Sequence, residues 1–255
     1  GEMDNYSSTS LSPWAQYLKY VSNIVIGEGI TTIGDYAFYS FSYPDKLKNI
    51  SIPTTVMSIG QGAFSQTCST VPLVVIPEGV TTIGANAFNN IGSRNNNRAT
   101  VVLPSTLRTI GDHAFHCTNG TENSNYMITV YSLASTPPSI SGETFCIDDN
   151  EDAKVYCPNP SAYSEWLGGA YWGGDGKSMP FSSYGITGNQ FWGYNNGTLS
   201  LYPSDGKISG HNNINMNSTS SVKINGYVTS VADSAFYGYT YLKSIEIPLT
   251  VKEIC

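Results

Sequence analysis

The sequence predicts a β-rich repeat solenoid, a coil of short parallel strands with irregular backs and little helix, and three observations predict it. A seven-residue pattern recurs as TIGDYAF (32–38), SIGQGAF (58–64), TIGANAF (82–88) and TIGDHAF (109–115). Its closing residues Phe38, Phe64, Phe88 and Phe115 stand 26, 24 and 27 positions apart. That period is typical of solenoid units and too short for an independent domain, so each unit must stack on its neighbours. A short alternating apolar run precedes each copy, and a proline or glycine separates run from copy.

The alternating runs are Ile24 and Ile26, Ile50 and Ile52, Val74 and Ile76, Val101 and Leu103, and Ile128 and Val130. A period of two buries one face of a strand. Gly27, Pro53, Pro77 or Pro104 then ends the run, because proline has no N–H to donate to a central ladder and favours a turn. A second apolar stretch follows with Ile30 and Ile33, Val56 and Ile59, Val80 and Ile83, or Leu107 and Ile110. Next comes Gly34, Gly60, Gly84 or Gly111, which permits a tight or left-handed bend, and an Ala-Phe pair that plugs the core. Side by side, the first runs form a parallel ladder and the phenylalanines an aromatic row, each ring worth roughly 1.5–3 kcal/mol on burial. The variable segments SFSYPDK, SQTCSTVP, NNIGSRNNNRA and HCTNGTENSNYM are expected to be outward loops.

Beyond Val130 the period weakens. A faint copy keeps Ile140 and Phe145, and Val155, Cys157 and Pro158 repeat the strand-then-proline step. SAYSEWLGGAYWG (161–173) sets Tyr163, Trp166 and Leu167 at helical spacing and is expected to be a short helix that covers the open end of the sheet. From Gly185 onward, Asn-Gly and Asp-Gly turns between short apolar strands predict a hairpin. The repeat then resumes: SVKINGYVTSVADSAF (221–236) superposes without a gap on NISIPTTVMSIGQGAF (49–64), and SIEIPLTVKEIC opens a further unit that stops at Cys255. The chain thus divides into residues 1–180, a solenoid with an N-terminal cap and a C-terminal helical cap, and 181–255, a β-hairpin entry plus the start of a second array. The mid-repeat stop, with an opening GEMDNYSS like the piece that would follow a hairpin, leads to the expectation of a segment of a longer protein, or of a last repeat completed by a neighbour.

Composition excludes several functions. Only 12% of residues are charged and the net charge is -7, so twelve scattered basic residues offer no patch for a phosphate backbone and no nucleic acid partner is expected. No apolar run approaches the eighteen or so residues of a membrane span, and the N-terminus lacks the basic-then-apolar pattern of a signal peptide. Glycines sit in turns, with no phosphate-cradling loop between a strand and a helix.

The sharpest chemical grouping is His113, His116 and Cys117 beside Asp112. Register argues against a metal there, since His113 falls in the variable slot of Tyr36, Gly62 and Asn86 and a well-spaced fourth ligand is missing. His211 is the only other histidine, and nothing pairs a nucleophile with a histidine and a carboxylate, so no catalytic residues are expected. Asp148, Asp149, Glu151 and Asp152 lack the alternating loop of a calcium site and are expected to be a solvated turn. No cofactor and no metal is therefore expected. The five cysteines, Cys68, Cys117, Cys146, Cys157 and Cys255, show no CxxC spacing; Cys146 and Cys157 are either a disulfide across adjacent coils or a buried pair of small apolar residues. The outward positions of the ladder, Val25, Ser51, Val75, Val102 and Thr129, are the candidate binding face, an apolar stripe being a mark of an interface. Exposed aromatics that stack on sugars are the alternative.

The pattern I-x-I-P-x-x-V-x-x-I-G-x-x-A-F resembles the repeat of BspA-like leucine-rich-repeat surface proteins, over roughly residues 21–158 and 221–255. SPWAQYLKYVSNIVIGEGITTIG resembles the entry into such arrays, with Pro13 and Trp14 closing the end. The resemblance implies a leucine-rich-repeat solenoid interrupted by a β-hairpin module, an extracellular or bacterial cell-surface location, and a non-catalytic binding or adhesion role. Implied partners are host extracellular-matrix or other cell-surface proteins, with glycans as the alternative.

Overall fold

The computed structural model describes residues 1–40, 44–94, 98–116, 127–145, 154–163, 166, 176–187, 189–208 and 217–254. The chain coils through two parallel rows of strands, a front row and a back row, with almost no helix. The front row begins with Asn23–Val25 paired to Asn49–Ser51 and continues as Leu73–Val75, Arg98–Leu103, Met127–Ser132, Lys154–Cys157 and Gly176–Ser178. Two-residue strands form the back row: Thr32–Ile33, Ser58–Ile59, Thr82–Ile83, Thr109–Ile110 and Ser139–Ile140. Proline turns join the rows, with the N–H of Val56, Val80 and Leu107 donating to the carbonyls of Pro53, Pro77 and Pro104.

The aromatic row forms as the repeat demands. Phe38, Phe64, Phe88, Phe115 and Phe145 stack with centroids 5.1, 5.1, 5.4 and 5.4 Å apart and near-parallel planes. From Phe38 to Phe115 the backbone N–H donates to the coil beyond, Phe64 to Ala87 O at 2.7 Å and Phe88 to Ala114 O at 2.7 Å. Indoles close both ends. Trp14 packs on Phe38 and donates Nε1–H to Ala37 O at 2.7 Å, and Trp166 packs on Phe145 and donates to Pro138 O at 3.0 Å. Residues 161–163 belong to a 3-10 turn, Pro160–Tyr163, and the rest of the expected helix at 161–173, apart from Trp166, lies outside the described residues. Below Trp14 the N-terminal residues supply half a coil, with a bridge from Glu2 to Thr32 and Tyr6 N–H donating to Asp35 O.

Three sequence expectations change. Gly60 and Gly84 do not turn left-handed; a Cβ on them would stand 2.7 Å from Asp35 N and 2.6 Å from Gln61 N, so they are there for close approach of one coil to the last. The left-handed bend falls two residues later, at Tyr36, Gly62, Asn86 and His113, and again at Ser234 in the second array, with φ between 51° and 60°. In this row the Tyr36 ring lies over Gly62, where a Cβ would come within 2.6 Å of the ring. Nor are all the variable segments outward: Thr67–Thr70 is a buried 3-10 turn, and Cys68 and Ile91 fill the core beside Leu47. Two rows of short strands leave one side of each coil open, and these segments close it.

The third change is one of register. Val130 pairs with Val101, and Tyr131 with Val102, so Thr129 sits opposite Thr100 instead of Val102. A shift of two residues keeps every side chain on its own face, so alternation alone cannot detect it.

The second array opens with an antiparallel meander, Ser183–Thr187, Gln190–Asn195 and Thr198–Pro203, whose last strand pairs in parallel with Ser221–Ile224 and that in turn with Ser244–Glu246. Its own back row is Lys207–Ile208, Ser230–Val231 and Glu253–Ile254. The meander packs apolar side chains on both faces. Leu199, Leu201 and Trp192 cover the second array's core, whereas Phe191 and Tyr202 pack against the first array's front row.

Phe88 is fully buried between two rings. Phe88→Ala is expected to destabilise the fold by about 3–5 kcal/mol, against less than half that for the part-buried Phe236→Ala near the end of the second array, measured by urea unfolding.

Candidate binding surfaces

The structure scatters the expected binding face. Val25 is 72% exposed, but Ser51, Val75 and Val102 are buried and Thr129 is half-buried. Cross-strand pairing puts Val25 beside Ser51, and Val102 between Val75 and Tyr131. Val75, Val102 and Tyr131 do point away from the solenoid core, and the meander of the second array lies on top of them. Val75, Val102, Tyr131, Phe191 and Leu73 form one buried cluster, with Phe181, Tyr184, Ile186 and Tyr202 around it. Ring contacts knit the two arrays, Tyr131 standing 5.1 Å from Phe191 and 6.0 Å from Tyr202. As an accessible stripe the row survives only at Val25 and partly at Thr129. The physical reason is that an apolar outer row adjoining a two-sided sheet lowers the free energy most by burying itself there.

Where the meander stops, a cleft of about 360 Å³ opens between the arrays. Thr129 and Thr100 line it from the first array with Arg98, and Tyr202, Asn225 and Gly226 from the second.

The back row remains open. Its inward side chains Ile33, Ile59, Ile83 and Ile110 are buried, and the outward partners, in register, are Thr32, Ser58, Thr82, Thr109 and Ser139. All five are hydroxyl side chains, half-buried at Thr32 and Ser58 and exposed from Thr82 onward. With strands about 4.7–4.9 Å apart they make a flat, uncharged, hydrogen-bonding ladder. The uniformity was visible in the sequence as the T/S before the isoleucine of each copy, followed by glycine in the first four and by Ser141 in the fifth, a position whose side chain the alternation sends outward.

Among the sequence's chemical candidates, Cys117, Cys146, Cys255, His211 and the acidic run Asp148, Asp149, Glu151 and Asp152 lie outside the described residues. Cys157 is a buried free thiol whose pKa burial raises. The histidines do come together, and with a partner that spacing within one repeat does not reveal. His113, His116 and Glu143 have ligand atoms all within 4.8 Å of one another, and His113 Nδ1 donates to Asp112 Oδ1 at 2.7 Å. Burial pushes the Asp112 carboxyl up, but hydrogen bonds from the His113 side chain and the Glu143 N–H outweigh it and hold the pKa below its usual value.

Taken together, two stacked rows of short parallel strands, the glycine contact between coils and the phenylalanine column define a leucine-rich-repeat solenoid. Residues 9–136 and 186–255 match the BspA type leucine-rich-repeat region in six copies, and the chain belongs to that family. Among solved structures it is similar to a leucine-rich repeat protein from Eubacterium ventriosum, at 15% identity over 99% of this chain and 79% of that one, with a TM-score of 0.35. It is also similar to a leucine-rich cell surface protein from Faecalibacterium prausnitzii, at 21% identity over 100% of this chain and a TM-score of 0.33, and spans 60% of that protein's length. A third likeness is to the pneumococcal vaccine antigen PcpA, at 13% identity over 97% of this chain and 64% of that one, with a TM-score of 0.32. No curated protein matches the chain. Among the described residues no helix is long and apolar enough to cross a membrane.

The joint between the arrays carries a pH signature. Burial raises the phenol pKa of Tyr131 and of Tyr202, which share a hydrogen bond at the joint, and in the core of the first array it pushes Tyr163 up from 10.0 to about 12. A raised folded-state value favours the neutral form, so the stabilisation is complete below the unfolded value near 10 and is lost as pH rises through the folded values. Stability to urea is expected to be level up to about pH 9 and to fall above about pH 10. In a parallel absorbance titration, the tyrosinate signal of these three residues is expected to appear only with unfolding.

Proposed function

We propose that the chain is a non-catalytic recognition scaffold of the bacterial cell surface, that it engages host extracellular-matrix or other cell-surface proteins, and that the back row is its docking face. The observation that carries this reading is the contrast between the rows. The front row is covered by the second array over its apolar rungs, while the back row offers five aligned rungs of uncharged hydroxyls. A rigid ladder with donors and acceptors at fixed spacing matches the exposed edge or loops of a protein partner without having to order itself first. Twelve basic against nineteen acidic residues leave no dominant positive field, in keeping with recognition by shape and hydrogen bonding.

The test is a binding screen of the purified chain against matrix proteins and a glycan array, with a Thr82→Lys, Thr109→Lys double variant and a Val25→Lys control. Saturable binding to a protein is expected, weakened at least about tenfold by the double variant and unchanged by the control. Binding to glycans alone would replace the protein partner by a carbohydrate, and protein binding indifferent to the double variant would remove the back row as the face.

A further inference from the structure

We infer that His113, His116 and Glu143 form a binding site for one divalent transition-metal ion of the zinc class. The site bridges two coils: the histidines flank Phe115 on one, and Glu143 stands two residues before Phe145 on the next. Asp112 organises it through two hydrogen bonds. Its Oδ1 accepts the Glu143 N–H at 2.8 Å, one position further along the coil than the similar cross-coil bonds from Asp35 N–H to Asn5 and from Gln61 N–H to Asp35. That bond fixes where Glu143 lies.

The second bond is particular to this coil. His113 Nδ1–H donates to Asp112 Oδ1 at 2.7 Å, which aims Nε2 at Glu143, 3.4 Å from its Oε2. On a neutral ring that Nε2 is an acceptor facing a carboxylate, and a proton or a metal ion between the two relieves the repulsion. A separation near 3.4 Å is also close to the edge of a tetrahedron whose metal–ligand bonds are about 2.0–2.1 Å. The buried His116 ring tilts against His113 with centroids 4.5 Å apart, which brings a second imidazole to the same point. A carboxylate behind a ligating histidine is the usual outer partner at such sites, where it raises the basicity of the ring.

The ligand set selects the ion class. Two imidazoles and one carboxylate suit zinc and its neighbours, whereas calcium and magnesium take six or more oxygens. The His113 and Glu143 side chains are 32% and 39% exposed, so an ion can enter from solvent and keep a water as its fourth ligand.

Titration of the chain with zinc sulfate by calorimetry tests this, with magnesium sulfate as the comparison. One equivalent of zinc is expected to bind and magnesium to give no saturable heat. His113→Asn keeps the left-handed backbone, since Asn86 occupies the same slot, and with Glu143→Gln is expected to abolish the site without unfolding the coil. Asp112→Asn retains the cross-coil bond as Asn5 does, and is expected to keep the stoichiometry while weakening affinity roughly 10–100-fold. Cobalt loaded in place of zinc should show visible ligand-field bands that disappear in His113→Asn. No saturable zinc binding to the parent chain, or equal affinity and stoichiometry in the His113→Asn and Glu143→Gln variants, would overturn the inference and leave the cluster as a hydrogen-bonded surface corner.

Discussion

Everything in this molecule depends on how closely one coil can lie on the next. From Phe38 to Phe115 the stacked phenylalanine column has a backbone hydrogen bond beside each ring, and those bonds form because the glycine four residues earlier has no Cβ to hold the coils apart. A side chain at Gly84 would meet the backbone of Gln61, and the misfit would pass to the strand pairing on either side. The contact is therefore both a packing interaction and the ruler that sets strand register.

A stack of equal coils has two ends and two sheet faces, and the chain treats each differently. At the ends, indoles replace the phenylalanine and satisfy a backbone carbonyl through Nε1–H, as Trp14 does at Ala37 and Trp166 at Pro138. The front face is apolar at Val75, Val102 and Tyr131, and it is closed by a meander that packs apolar side chains on both sides. The back face carries hydroxyls and stays open. The two arrays thus share a core in addition to their own, and the tyrosines within it are held neutral by burial.

Much of this was legible in the residues. Spacing and alternation identified the solenoid, the buried Ile and Val rows, the aromatic column and the resumption of the repeat after the hairpin. What escaped were relations that a one-dimensional pattern does not contain. The pairing of Tyr131 with Val102 differs from the aligned expectation by two residues, which leaves face parity untouched. The cover over Val75 depends on where a meander more than eighty residues away lands. Glu143 reaches the histidines because coils stack, although it lies in a degenerate copy of the repeat. The glycine's purpose was misplaced because close approach and a left-handed bend leave the same residue in a sequence.

The left-handed slot two residues before the column's phenylalanine has a consequence of its own. Tyr36, Gly62, Asn86, His113 and Ser234 share one backbone geometry although their side chains have nothing in common. The core makes no demand on what occupies the slot, so it behaves as a socket that evolution can refill at little cost to folding. The sockets also touch in series, Tyr36 lying over the place where Gly62 has no side chain. A change in one socket is therefore constrained by its neighbour along the axis, and the surface chemistry of the solenoid should vary in adjacent pairs, like letters that must be legible together.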